Sequence, residues 1–133
     1  MVVGVVALVA VLTGCEGAIE LNVERRFAAD PPVGDEALRV LARAHSQEQC
    51  DDGASSPTPD PEAVYGAGSI ELTSRQRLNP AYDPPADDHR ATSAIWRRFE
   101  TDARLDDATW VRMGAGQVMC ADGYLYMTLV LQA

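Results

Sequence analysis

The chain contains no lysine; all 11 of its basic residues are arginine. Aromatic residues make up only 6 %, there are two histidines, and no apolar run reaches the ~20 residues that a membrane-spanning helix needs. Each shortage closes an option. Against 20 acidic residues the arginines leave a net charge of −9. A surface of that sign argues against nucleic-acid binding, which needs a basic stripe, and against charge-driven docking on anionic lipid headgroups. Together with the abundance of Ala, Asp, Val and Pro, the missing lysine reads as coding bias in a GC-rich genome rather than as chemistry. Catalytic signatures are missing too: there is no G-x-S-x-G elbow, no phosphate loop and no H-E-x-x-H. Ser46 follows His45 directly, and neighbours on a helix diverge by about 100°, so they do not form a Ser–His dyad. No catalytic residue, cofactor or metal ligand set can be named, and a non-enzyme is the expectation.

What is present starts at the N-terminal side. Residues 2–12 are almost unbroken aliphatics, and Leu12-Thr13-Gly14-Cys15 follows. That tetrapeptide resembles the lipobox of bacterial lipoproteins, in which the cysteine receives lipid. The resemblance implies a signal peptide over residues 1–14, cleavage before Cys15, a lipidated anchor and short tether over 15–18, and a domain over 19–133. It also implies export and attachment to the outer face of the bacterial cell membrane, each buried methylene adding ~0.8 kcal/mol. No Arg or Lys precedes the run, although export signals normally begin with positive charge; the start lies upstream or the signal is atypical. A buried N-terminal strand or helix is the alternative. The other two cysteines fit export. With lipid on Cys15, Cys50 and Cys120 remain as an even pair, and secreted chains tend to pair their thiols. Their bridge would close a loop of about 70 residues, worth several kcal/mol; two buried free thiols are the alternative.

The remaining ~119 residues suffice for one domain but not two. Helical spacing of Ile19, Val23 and Phe27 predicts a first helix over residues 18–28. Asp35 is a good N-cap for a second, with Leu38, Leu41, Ala42 and His45 as its stripe. Residues 51–62 and 79–88, rich in Asp and Pro, predict exposed irregular segments, with a short strand at 68–73 between them. A third helix is predicted from Thr92, presenting Ile95, Trp96 and Phe99 inward. Two β-prone runs, 111–120 and 124–132, flank the turn Ala121-Asp122-Gly123 and predict a hairpin. In its second strand Tyr124, Tyr126, Thr128 and Val130 point one way, and Leu125, Met127, Leu129 and Leu131 the other. Both faces are mostly apolar, so both need cover. Helices on both sides of a small antiparallel sheet make an α+β fold, a three-layer α-β-α sandwich ending in a C-terminal hairpin. Gly114 and Gly116 share one face of their strand, and without Cβ atoms they admit a close neighbour.

The order of these parts resembles the CAP superfamily (cysteine-rich secretory, antigen-five and pathogenesis-related proteins) in its short bacterial form. The matching pieces are Leu21-Asn22-Val23-Glu24-Arg25 and Ala42-Arg43-Ala44-His45-Ser46-Gln47-Glu48, similar to an A-x-x-H-S-x-D helix. Ile95-Trp96, Met113-Gly114-Ala115-Gly116 and Asp122-Gly123-Tyr124-Leu125-Tyr126 follow in order. Family members line a cleft with two His and two acidic residues that can hold a divalent cation. Here that set is missing from the matching positions. The family acid falls on Gly68. Glu71 does not simply replace it, because the two positions face opposite sides of a strand. Residues 50–62 and 100–104, where the two cleft histidines belong, contain none. His45 is left as the candidate cleft residue, read first as a packed histidine and only second as a ligand. His89, beside Asp87 and Asp88, is read as solvated before it is read as a cation ligand; Asp51, Asp52 and Asp60 lack calcium-loop spacing. Trp96 and Trp110 read as core and rim. The resemblance implies a non-catalytic binding module for a small apolar ligand or lipid, or for a protein partner at the envelope. A metal-dependent or hydrolytic enzyme with a rearranged site around His45 or His89 is the alternative, and a purely structural envelope protein a third reading.

Overall fold

The structure, a computed structural model, describes residues 14–79 and 84–133, with side chains from 17 to 79 and from 89 to 133. Residues 1–13 of the segment expected to be a signal peptide (1–14) lie outside the described residues, as does the side chain of Cys15. Helix α1 (Gly14–Arg26) buries Ile19 and Val23 completely and carries Arg25 and Arg26 in its last turn, where cations oppose the helix dipole. It begins four residues before the expected boundary.

A two-residue strand, β1 (Val33–Gly34), precedes α2 (Glu36–Asp52). Asp35 caps α2, accepting from Leu38 N at 3.0 Å, and Gly53 ends it in a left-handed conformation at φ 67°. Next comes the short α3 (Pro61–Tyr65), N-capped by Asp60 with Pro61 in its first turn, beginning at the end of the segment 51–62 expected to be irregular. Strand β2 (Ser69–Arg77) runs further than the sequence suggests. Helix α4 (Pro84–Phe99) starts eight residues before Thr92: its paired prolines sit in the first turn, whose amides have no intrahelical acceptor to lose. A 3₁₀ turn (Ala103–Asp106) leads to the hairpin of β3 (Arg112–Met119) and β4 (Tyr124–Gln132).

The sheet order is β1-β3-β4-β2. It is mixed rather than wholly antiparallel, because β1 pairs parallel with β3 through Val33 and Gly34. Helices cover both faces, as the hairpin parity requires. On one face Leu125, Met127, Leu129 and Leu131, all fully buried, pack with Ile19 and Val23 of α1 and Ile95 and Phe99 of α4. Trp110 joins this core, donating Nε1–H to Leu105 O at 2.9 Å, and Trp96 packs at its margin. On the other face Val130 meets Leu38, Ala42 and Tyr65. There α2 presses directly on β3: a Cβ at Gly114 would overlap the backbone of Leu38 and Arg39, and one at Gly116 that of Ala42 and Arg43.

That contact changes the stripe of α2. The buried positions are Leu38, Ala42, Ser46 and Gln49, whereas Leu41 and His45 sit to the side. Small and hydrogen-bonded residues fit where the helix backbone touches the strand. Ser46 Oγ donates to Gly116 O at 2.8 Å and lies 2.9 Å from Thr128 Oγ1, to which Gln49 Nε2 also donates at 3.1 Å. A disulfide joins Cys50 at the end of α2 to Cys120 at the end of β3, with Cα atoms 5.6 Å apart.

Candidate functional site

β2 lies at the edge of the sheet, opposite β1. Leu78 N–H donates to Gly123 O and Ala133 N–H to Gly68 O, one at each end of the β2–β4 register. Even-numbered residues of β2 therefore pair with β4, and odd-numbered ones turn their N–H and C=O outward. Two of these outward carbonyls are capped: Glu71 O accepts from Arg104 Nη2 at 3.2 Å, and Arg75 O from Arg98 Nη1 at 2.8 Å. Between them, no described residue bonds the outward amide and carbonyl of Thr73.

This open stretch is the floor of a slot of about 490 Å³. Residues Glu71, Leu72, Thr73 and Ser74 line its base. Pro57, Thr58, Pro59 and Pro61 form one wall, and Arg98, Phe99, Asp102 and Arg104 the other. The slot thus lies between the two helical layers, at the edge of the sheet they enclose. Arg98 Nη1 also donates to Ser74 Oγ at 2.6 Å, and its other terminal nitrogen reaches Gln76 Oε1. Asp102 holds Arg104 through Nε at 3.1 Å and Nη2 at 2.8 Å. That hydrogen-bonded pairing keeps the Asp102 carboxyl below its usual range and the guanidinium above its own.

The proline wall is pinned from beneath. Glu71, 3 % exposed, accepts from Thr58 N at 2.7 Å, and from Thr58 Oγ1 and Tyr65 OH at 2.5 Å each. Burial first, and then the Glu71 carboxylate, push the Tyr65 hydroxyl well above the usual tyrosine range. His45 Nε2 lies 2.9 Å from Ser56 O and 3.5 Å from Glu71 Oε1. A carbonyl only accepts, so this nitrogen carries the proton toward Ser56. Gln49 Oε1 accepts from Ser55 Oγ and Ser56 N, each at 3.1 Å. Residues 55–58, which contain Pro57, are thereby fastened to α2 and β2.

His45 does not reach the slot. It opens on a smaller hollow of about 200 Å³ beside Leu41, Val64 and Tyr65, and Thr58 and Pro59 form the partition between the two spaces. The His45 ring is held by the loop at Ser56 and lies beside Glu71 of β2. Thr58 Oγ1 and Tyr65 OH both donate to Glu71, so neither is poised as a nucleophile for His45. His89 is exposed on α4, and the side chains of Asp87 and Asp88 lie outside the described residues. Asp51 accepts from Gln47, and Asp60 caps α3. Among the described residues no group of three or more His, Cys, Asp or Glu could hold a metal ion. No described helix is long and apolar enough to cross a membrane.

The residues that build the slot were missed by motif reading. Glu71 draws notice only as a poor substitute for the family acid, and it faces the α2 layer as a structural pin. Thr73, Arg98 and Arg104 carry no signal until β2 is known to be an edge. The chain matches no protein-family model and no curated protein.

Proposed function

We propose that this chain is an exported lipoprotein, held at the outer face of a bacterial membrane by lipid on Cys15, whose divergent CAP-like domain is a non-catalytic binding module. The observation that carries the binding reading is the slot: a concave site of about 490 Å³, within the range typical of ligand sites, with hydrogen-bonded walls and polar groups converging on its floor. Export is supported by the Cys50–Cys120 disulfide, a bond favoured in oxidising compartments. The CAP-like assignment rests on the ordered motifs, and the α-β-α layering is of the kind they imply.

A lipid and an envelope protein are the two occupants in question. The floor is strand backbone flanked by Arg98 and Arg104. Burying such groups against acyl chains would leave donors and acceptors unpaired, at a cost of about 1–3 kcal/mol each. A protein partner is therefore the better fit. The enzyme reading retains one observation, the 3.5 Å approach of His45 to Glu71.

Site-specific photo-crosslinking tests the binding reading. Full-length protein with benzoylphenylalanine in place of Pro59, expressed in a native membrane, is expected to yield discrete adducts several-fold above the same probe at Val40, an exposed position on α2. Equal yields at the two positions would remove the slot as the binding site.

A further inference from the structure

We infer that the slot accepts a short extended peptide bearing an acidic side chain, added as a strand to the outer edge of β2 and hydrogen-bonded to both backbone groups of Thr73. The inference rests on the reading of the slot as a binding site and names what enters it. Thr73 lies midway between two carbonyls already capped by arginines, at Glu71 and Arg75. Among the described residues what remains open is one outward N–H and one outward C=O, the pair that a single residue of an added antiparallel strand satisfies. A free ligand group with only donors or only acceptors would leave one of the two unmet.

The walls decide what kind of strand fits. An open edge on a protein surface invites pairing with any other sheet. Here the edge is recessed between residues 57–61 and the Arg98–Arg104 side, so a single strand enters but the flanked edge of a second copy does not. Pro57, Pro59 and Phe99 offer apolar contact to side chains of the incoming strand. Charge sets the remaining preference. On a chain of net charge −9 the slot presents two guanidiniums. Asp102 and Arg104 offset each other, and Glu71 is turned into its bonds with Thr58 and Tyr65. The guanidinium left to attract an incoming charge is therefore that of Arg98, held by the neutral acceptors Ser74 Oγ, Arg75 O and Gln76 Oε1. An acidic peptide is favoured there over a basic one.

The probe is a capped pentapeptide of alternating valine and glutamate, titrated into the mature disulfide-bonded protein and followed by amide NMR and hydrogen exchange. Saturable shifts are expected at Leu72, Thr73 and Phe99, with Thr73 amide exchange slowed at least tenfold at saturation. N-methylation of the central peptide residue is expected to weaken binding at least tenfold, and replacement of glutamate by lysine to weaken it similarly. Binding without protection of Thr73, or equal binding of the N-methyl peptide, overturns strand addition. Equal binding of the lysine peptide overturns the charge preference. If the pentapeptide fails while the Pro59 probe still gives adducts, strand addition falls and the slot stands; if both fail, both readings fall.

Discussion

The two faces of the sheet are held by different means. Toward α1 and α4 the contact is aliphatic, with four consecutive same-face residues of β4, Leu125 to Leu131, fully buried. Toward α2 the apolar cluster is small, and the layer is fixed by backbone contact at Gly114 and Gly116, a buried Ser46–Thr128–Gln49 network and a disulfide. Burial is non-directional, so the first face sets how strongly the domain folds. Hydrogen bonds and close approach are directional, so the second sets where α2 sits to within a fraction of an ångström. The slot wall descends from that second face through His45, Gln49 and Glu71. The region built for position carries the candidate site.

This contrast can be broken experimentally, and Gly116→Ala is the hardest blow. One added methyl would overlap the α2 backbone, and overpacking without room to yield is expected to cost about 4 kcal/mol, above the usual range. A cost below about 1 kcal/mol in urea unfolding would mean that α2 slides freely. Leu129→Ala, on the opposite face and fully buried, is expected to cost about 3 kcal/mol. If so, adding one carbon on one face does as much damage as removing three on the other. Replacing Cys50 and Cys120 together by serine is expected to cost about 2–3 kcal/mol. Hydrogen exchange should then rise at the end of α2 more than in α1; a uniform rise would count against a local role. Thr128→Val, which removes the hydroxyl shared by Ser46 and Gln49 and leaves Gln49 Nε2 with His45 O, is expected to cost about 1–2 kcal/mol and to loosen residues 55–58.

The smallest expected effect is the pH response of the slot rim. Arg104 depresses the folded pKa of Asp102 below its unfolded value. The pairing therefore contributes stability above the unfolded carboxylate range, near pH 4, and loses it as pH falls through the lower folded value. Asp102→Asn is expected to be less stable than the parent at neutral pH, with the gap closing toward pH 2. A gap that persists unchanged in acid denaturation would show that the carboxylate charge is not what matters.

Much of the architecture was legible. Alternation in residues 124–132 required cover on both sides, and Gly114 and Gly116 announced a close neighbour on one of them. Both are local patterns with a direct geometric meaning. The helix at Pro61 carried a usable signal, an Asp followed by proline, but it was outweighed by the turn-forming composition around it. β1 is two residues long and exists only because β3 lies beside it, so no local pattern encodes it. The slot was hidden for a related reason. Thr73 differs from any other strand threonine only in lying at an edge, and edge position follows from the pairing of β2, β3 and β4. Arg98 and Arg104 look like solvated charges until the carbonyls of Glu71 and Arg75 are known to face outward.

One of the two inner strands of the sheet is also the last element of the described fold. β4, residues 124–132, pairs on one side with β3 and on the other with β2, and both helical layers rest on it. A chain emerging N-terminus first, from a ribosome or a translocation channel, makes every helix before the strand that joins them exists. The helices can dock on β2 and β3 as these appear, but β2 and β3 are joined into one sheet only when β4 pairs with both, and such non-local pairings are slow to form. The sandwich is thus completed only once its last described strand is free to pair on both sides.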